Sequence, residues 1–330
     1  MRCPLWIGLP GPDPGELFWS GPGAAPPSGV VLFGRNLDPD PGAGPARCHA
    51  LIQGLRSRWG EALLLSIDQE GGRVSRLLPW VGPTPSLRRT WLHGGAAECE
   101  AWGRRWGRGL RLLGFDADLA PVADLYDGNA ETGQGERCAS EDPGEAARAA
   151  GAFLHGLESE GLEGSLKHFP GLASTRVDSH KDLPEVMDED QFRRNLEPFR
   201  MLAHPARFVM VAHLRTPWSE GRPASLHRGH VAGNPWGVSA KWITDDLEMG
   251  GCAAWPWPQR ARMALEAGHE ALLVCQSADG IRQATEAWRA CGAPVARGRP
   301  ARHGLGEAFD AAAWDRWRDE LQGAARRVLG

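Results

Sequence analysis

Eight short apolar runs, separated by stretches of helical pattern, leave this chain very few architectures. They are Leu5–Leu9, Gly29–Phe33, Ala62–Ile67, Phe115–Ala120, Gly164–His168, Phe208–Ala212, Lys241–Asp245 and Glu270–Cys275. Each is nearly continuously apolar and does not alternate, the pattern of parallel strands covered on both faces. Between them, Arg47–Arg58, Glu98–Leu113, Glu145–Glu160, Asp190–Ala203, Pro258–Ala267, Asp279–Ala290 and Asp310–Val328 carry apolar residues at helical spacing. Asp142-Pro143 reads as a helix start, and Gly114 and Gly161 as helix stops. Strands alternating with helices imply a parallel sheet. Eight of them in 330 residues predict a single (β/α)8 TIM-type barrel spanning residues 1–330 as one catalytic domain. One βα unit looks irregular or shortened around residues 214–240, where TPWSEGRPASLHRGHVAGNPWGVS is rich in Gly and Pro. Pro10–Pro27 reads as a loop for the same reason.

Composition narrows the function. A hydrophobic content of 42% supports a large core. A formal net charge of -4 offers no electrostatic reason to bind nucleic acid or a membrane surface. No basic-then-apolar leader opens the chain, and no run of about 18 apolar residues occurs. Seven scattered cysteines, an odd number with no CxxC pair, predict neither a disulfide framework nor a zinc site. A reducing, cytoplasmic location is the expectation. No phosphate-cradling glycine loop or metal-ligand spacing is seen, so neither cofactor nor metal is expected.

Barrel enzymes of this type place their chemistry at the carboxyl ends of the strands. Polar residues cluster there. Strand three runs into Asp68, Glu70 and Arg73. Strand four leads through Asp118 to Asp124. Strand five ends at Lys167-His168, followed by a loop with Asp178 and His180. Strand seven ends at Thr244-Asp245-Asp246. Alternation along a strand predicts that Asp246 faces away from whatever Asp245 faces.

These blocks resemble those of glycoside hydrolase family 3. DQEGGRVSR (Asp68–Arg76), GER with EDP (Gly135–Arg137, Glu141–Pro143), KHFPG with DSH (Lys167–Gly171, Asp178–His180) and ITDDLEMG (Ile243–Gly250) occur in the family's order. GVVLFGRN (Gly29–Asn36) and LAPVAD (Leu119–Asp124) fit as well. The branch most similar is that of single-domain bacterial β-N-acetylhexosaminidases. That resemblance implies a retaining enzyme that removes terminal N-acetylglucosamine, with cytoplasmic cell-wall fragments as a substrate class. It implies Asp245 as nucleophile and His180 as general acid/base. Asp178 would hydrogen-bond the imidazole, set its tautomer and stabilise its cation. Asp68 is implied as an acceptor for sugar hydroxyls, and Arg76, Arg137, Lys167 and His168 as donors. Glu70 and Arg73 are expected to form ion pairs around the strand-three turn. The expected partner is a small carbohydrate, bound by a monomer.

The chain departs from the family after KHFPG, where the usual His-Gly is Leu172-Ala173. Alanine lacks glycine's access to positive φ, which bears on the motion of a loop carrying the acid/base. Trp242, Trp255 and Trp257 flank the nucleophile strand and are expected to pack in the core. Two other enzyme readings remain open at this stage. One is a phosphorylase, since an imidazole donor spares phosphate the repulsion of a carboxylate; the other is a β-glucosidase. A third reading, of another class, is a catalytically weak sugar-binding sensor.

Overall fold

Each of the eight apolar runs forms a strand. The computed structural model describes residues 2–12, 25–129, 134–204, 207–292 and 308–330. Residues 13–24, most of the segment read as a loop, lie outside the described residues. The barrel strands are β1 (Cys3–Gly8), β2 (Pro27–Leu32), β3 (Leu64–Ile67), β6 (Ala117–Asp118), β7 (Glu163–Phe169), β8 (Phe208–Val211), β9 (Lys241–Asp246) and β10 (Ala271–Val274). They pair in parallel in chain order, and β10 closes onto β1. A two-stranded hairpin, β4 (Gln69–Gly71) and β5 (Val74–Ser75), rises from the end of β3.

Helices α1 (Gly44–Trp59), α3 (Leu87–Leu113), α4 (Pro143–Ser159), α5 (Glu189–Leu202), α6 (Trp257–Ala267), α7 (Ala278–Cys291) and α8 (Ala311–Leu329) account for the seven helical patterns, and α2 (Leu78–Val81) is a short addition. Five of the helix starts have side-chain caps: Ser86 accepts from Arg89 N, Asp142 from Glu145 N, Asp188 from Gln191 N, Ser277 from Gly280 N and Asp310 from Ala313 N. Helix α3 begins at Leu87, not at Glu98. Gly94 and Gly95 leave helical geometry inside it, which broke the periodicity and hid its first half.

The irregular unit is where it was expected. Among the described residues, the only helix in 212–240 between β8 and β9 is one 3-10 turn at Ala224–Leu226; the rest is turns and irregular chain. Trp218, Trp236, Val231 and Val238 from this segment pack with Phe169, Phe192, Phe199 and Trp242 and take the place of a helix. Trp242 is buried 4.9 Å from the Phe169 ring, and Trp255 and Trp257 pack on the core at the edge. Their role is packing. The barrel interior holds Trp6, Val31, Leu64, Leu119, Phe208, Met210, Ile243 and Leu273.

Candidate active site

The carboxyl ends of the strands open onto a cavity of about 380 Å³. Asp68, Arg76, Arg137, Lys167, His168, Asp178, His180 and Asp245, the eight residues singled out in the sequence, all line it. Glu70, Arg73, Asp246 and Glu248 line it too.

One wall is a chain of ion pairs. The Lys167 ammonium is buried between Asp68 Oδ1, at 2.8 Å, and Glu70 Oε1, at 2.7 Å. Arg137 forks onto the same Glu70, Nε to Oε2 at 2.7 Å and Nη2 to Oε1 at 2.8 Å. Arg76 Nη2 approaches Asp68 Oδ2 at 3.6 Å. Burial opposes ionisation of Asp68 and Glu70, but the cations beside them win. Lys167 and Arg76 hold Asp68 below the usual carboxylate range. Arg137 and Lys167 hold Glu70 well below it. Burial likewise opposes the charge on Lys167, and the two carboxylates override it and raise its pKa. The expectation that Glu70 pairs around its own turn is corrected: its partners are 67 residues further on for Arg137 and, for Lys167, on β7. The barrel brings together what the chain separates.

His168 is oriented from behind. Its Nδ1 donates to Asp124 Oδ2 at 2.6 Å, so Nε2 is the nitrogen left facing Arg137 Nη2 at 3.4 Å. Asp124 also accepts from the Leu172 amide at 3.0 Å and so ties down the start of the next loop. Asp118 lies fully buried below, accepting from Gln69 N, and burial keeps its carboxyl pKa well above the ordinary value.

The loop after β7 carries the imidazole. His180 Nδ1 meets Asp178 Oδ1 at 2.9 Å, and the same oxygen accepts from His180 N at 3.0 Å. The His180 side chain is 70% exposed at the mouth, while Asp178 is largely covered. Burial raises the Asp178 pKa, but the hydrogen bonds from His180 prevail and lower it. Leu172 and Ala173 are buried, and the left-handed backbone conformation falls one residue later, at Ser174 with φ of 68°. Asn195 Nδ2 donates to the carbonyls of Gly171 and Ala173. The loop is thus anchored through Ala173, and exposed residues follow at Ser174, Arg176 and Val177.

Asp245 stands at the end of β9. The expectation that Asp246 faces away fails. Between Ile243 and Asp246 the strand spends three residues where β10 spends two, a bulge that breaks the alternation. Asp246 is therefore in register with Leu273, an inward-facing residue. Asp246 N donates to Asp245 Oδ1 at 2.8 Å, and Asp246 Oδ1 accepts from Glu248 N and Cys275 N. Burial, with the nearby Glu248 charge, raises the Asp246 carboxyl to about 7.

The model of the glycosyl hydrolase family 3 N-terminal domain matches residues 27–293. The chain belongs to glycoside hydrolase family 3. As a family 3 protein it is a glycoside hydrolase on a (β/α)8 barrel. It is 33% identical over 267 residues to a β-hexosaminidase of Tolumonas auensis, covering 76% of each chain. It is 33% identical over 254 residues to a β-hexosaminidase of Pseudomonas aeruginosa, covering 75% of this chain and 74% of that one. NagZ from Neisseria gonorrhoeae, solved in complex with N-trifluoroacetyl-D-glucosamine, superposes with a TM-score of 0.76 at 27% identity over 98% of both chains.

Proposed function

We propose that this family 3 hydrolase is a retaining exo-β-N-acetylhexosaminidase that removes terminal N-acetylglucosamine from glycans. The observation that carries the reading is one cavity with two kinds of wall. A strand-end carboxylate, Asp245, and a carboxylate-braced imidazole, Asp178–His180, share it with the ion-paired polar wall of Asp68, Arg76, Arg137, Lys167 and His168. The similarity to β-hexosaminidases supports the choice of sugar.

The reaction runs in two displacements. In the first, an Asp245 carboxylate oxygen attacks the anomeric carbon. The bond to the glycosidic oxygen breaks, and His180 Nε2–H protonates that oxygen as the leaving group departs. In the second, His180, now neutral, takes a proton from water. The hydroxide so formed attacks the anomeric carbon, the ester to Asp245 breaks, and the sugar leaves with retained configuration. Asp178 receives the Nδ1 hydrogen bond throughout and stabilises the imidazolium that gives up the proton. Asp68 accepts from hydroxyls, and Lys167 and Arg137, held by Glu70, donate to the sugar or its N-acetyl group. Residues 1–330 form one catalytic unit in this reading. Cytoplasmic cell-wall fragments are the proposed natural substrate, and the free thiols of all seven cysteines are in keeping with a reducing compartment.

The test is covalent trapping with a 5-fluoro N-acetylglucosaminyl reagent, followed by peptide mapping. The label is expected on Asp245; on any other residue it overturns the assignment. Aryl β-glucosides hydrolysed much faster than aryl N-acetyl-β-glucosaminides would overturn the substrate.

A further inference from the structure

The two catalytic elements of the proposed mechanism come from different parts of the chain, and one buried side chain stands between their supports. His213, at the end of β8, is fully buried and does not line the cavity. Its Nε2 lies 2.8 Å from the carbonyl oxygen of Asp246, on the strand-end bulge that turns both Asp245 and Asp246 inward. A carbonyl can only accept, so that nitrogen carries the proton. Its Nδ1 lies 2.7 Å from Ser225 Oγ and 3.3 Å from Cys252 Sγ, both able to donate to it.

The same imidazole also underlies the acid/base loop. The turn Gly250–Cys252 follows β9 and rests on His213. A Cβ on Gly251 would come within 2.7 Å of His213 Cβ. From its other side the turn holds the loop: Gly250 N donates to the carbonyl of His180 at 3.2 Å, and Gly251 N to that of Ser179 at 3.0 Å.

We infer that His213 is a positioning residue that sets the nucleophile strand end and the acid/base loop in a common register, through its hydrogen bond to Asp246 and the Gly250–Cys252 turn it supports. The inference rests on the proposed roles of Asp245 and His180. It requires the Nε2–H donor, not an imidazole as such. Burial lowers the His213 pKa, which keeps the ring neutral with Nδ1 free to accept.

The test compares His213→Leu, His213→Gln and Asp245→Asn in the full chain, with kcat and KM for an aryl N-acetyl-β-glucosaminide and melting curves for each. His213→Leu removes the donor and is expected to lower kcat by about 10- to 100-fold, with KM changed less than about threefold. His213→Gln places an amide N–H near the Nε2 position and is expected to recover most of the loss. A His213→Leu enzyme that is folded and has wild-type kcat overturns the inference. So does a loss confined to KM, or a folded His213→Gln enzyme as slow as His213→Leu. If His213→Leu does not fold, a folded His213→Gln enzyme with kcat within about threefold of wild type supports the donor, and one about 10- to 100-fold slower overturns it. Asp245→Asn separates the two layers. If that variant stays active, the nucleophile reading itself fails. If it is inactive while folded His213→Leu is wild type, only the positioning inference fails.

Discussion

Glu70 holds two cations that the proposed mechanism aims at the sugar, and its charge is bound up with folding. In the folded chain Arg137 and Lys167 keep its carboxyl below the ordinary value of 4.5. Its contribution is therefore fully present above that value and is lost as pH falls through and below it. Glu70→Gln leaves Lys167 paired with Asp68 but deprives Arg137 of its forked partner. At pH 7 the expected loss is near the lower end of the roughly 3–5 kcal/mol typical of breaking a buried pair. Urea unfolding at pH 7 and at pH 3.5 checks this, since the deficit has to shrink at the lower pH. Asp246 behaves in the opposite sense. Its carboxyl is raised to about 7 from 3.8, so the folded chain keeps a proton that the unfolded chain has already released. Stability therefore drains away as pH rises from about 4 to 7. Asp246→Asn keeps the oxygen that accepts from Glu248 N and Cys275 N while removing the charge. Its Tm advantage over wild type is expected near zero at pH 4 and clearly positive at pH 8. Equal differences at the two pH values would contradict the buried-acid account.

The β9 bulge and the glycine turn after it show where element-level reading of the sequence succeeds and where it stops. All eight strands were legible because each is a short, largely apolar run without alternation, and the β8–β9 connection without an α-helix was legible from its Gly and Pro. The eight residues singled out in the sequence share one cavity because they sit just beyond strand ends or in recognisable blocks. What escaped depended on registers and crossings that no local pattern encodes. The inward turn of Asp246 follows from a bulge against β10, the partners of Glu70 from barrel closure, and the role of His213 from a turn that returns to β8. The turn also offers a test of how the loop is docked. A Cβ on Gly250 would lie 2.3 Å from the Lys181 carbonyl oxygen, so Gly250→Ala has to push the loop away. If His180 is the proton donor, as proposed, displacing it slows substrates whose leaving group needs a proton and spares those that do not. The expected kcat loss is up to about 100-fold for a poorly leaving alkyl or phenyl group, within the range that general acid catalysis supplies. For 2,4-dinitrophenyl it is expected to be within a few-fold. A uniform loss across leaving groups would mean that the turn serves the nucleophile strand alone.

Across the whole molecule, stability and chemistry are carried on different sides of the barrel. The loop that carries His180, the proposed acid/base, hangs from the cluster around β7, β8 and α5, through Leu172 and Val186. Far from it, α8 returns at the carboxyl end of the chain and lays Trp314 and Trp317 across α2 and α3. The Trp317 ring lies tilted against Trp314 at 4.6 Å and against Trp106 at 6.2 Å, and its Nε1 donates to the Arg105 carbonyl at 2.7 Å. Trp80 meets Trp314 edge-on at 6.0 Å. Four of the chain's fifteen tryptophans, Trp80, Trp106, Trp314 and Trp317, meet in this seam. None of these rings reaches the cavity. Trp317→Ala removes one of its central rings and is expected to destabilise the fold by about 3–5 kcal/mol. Below the lowered Tm, the folded variant keeps its barrel mouth and therefore its kcat and KM. Melting curves and steady-state rates at a temperature well below both transitions separate the two effects. A fall in kcat without further unfolding would show that the α8 seam reaches the site through the barrel, contrary to the division described.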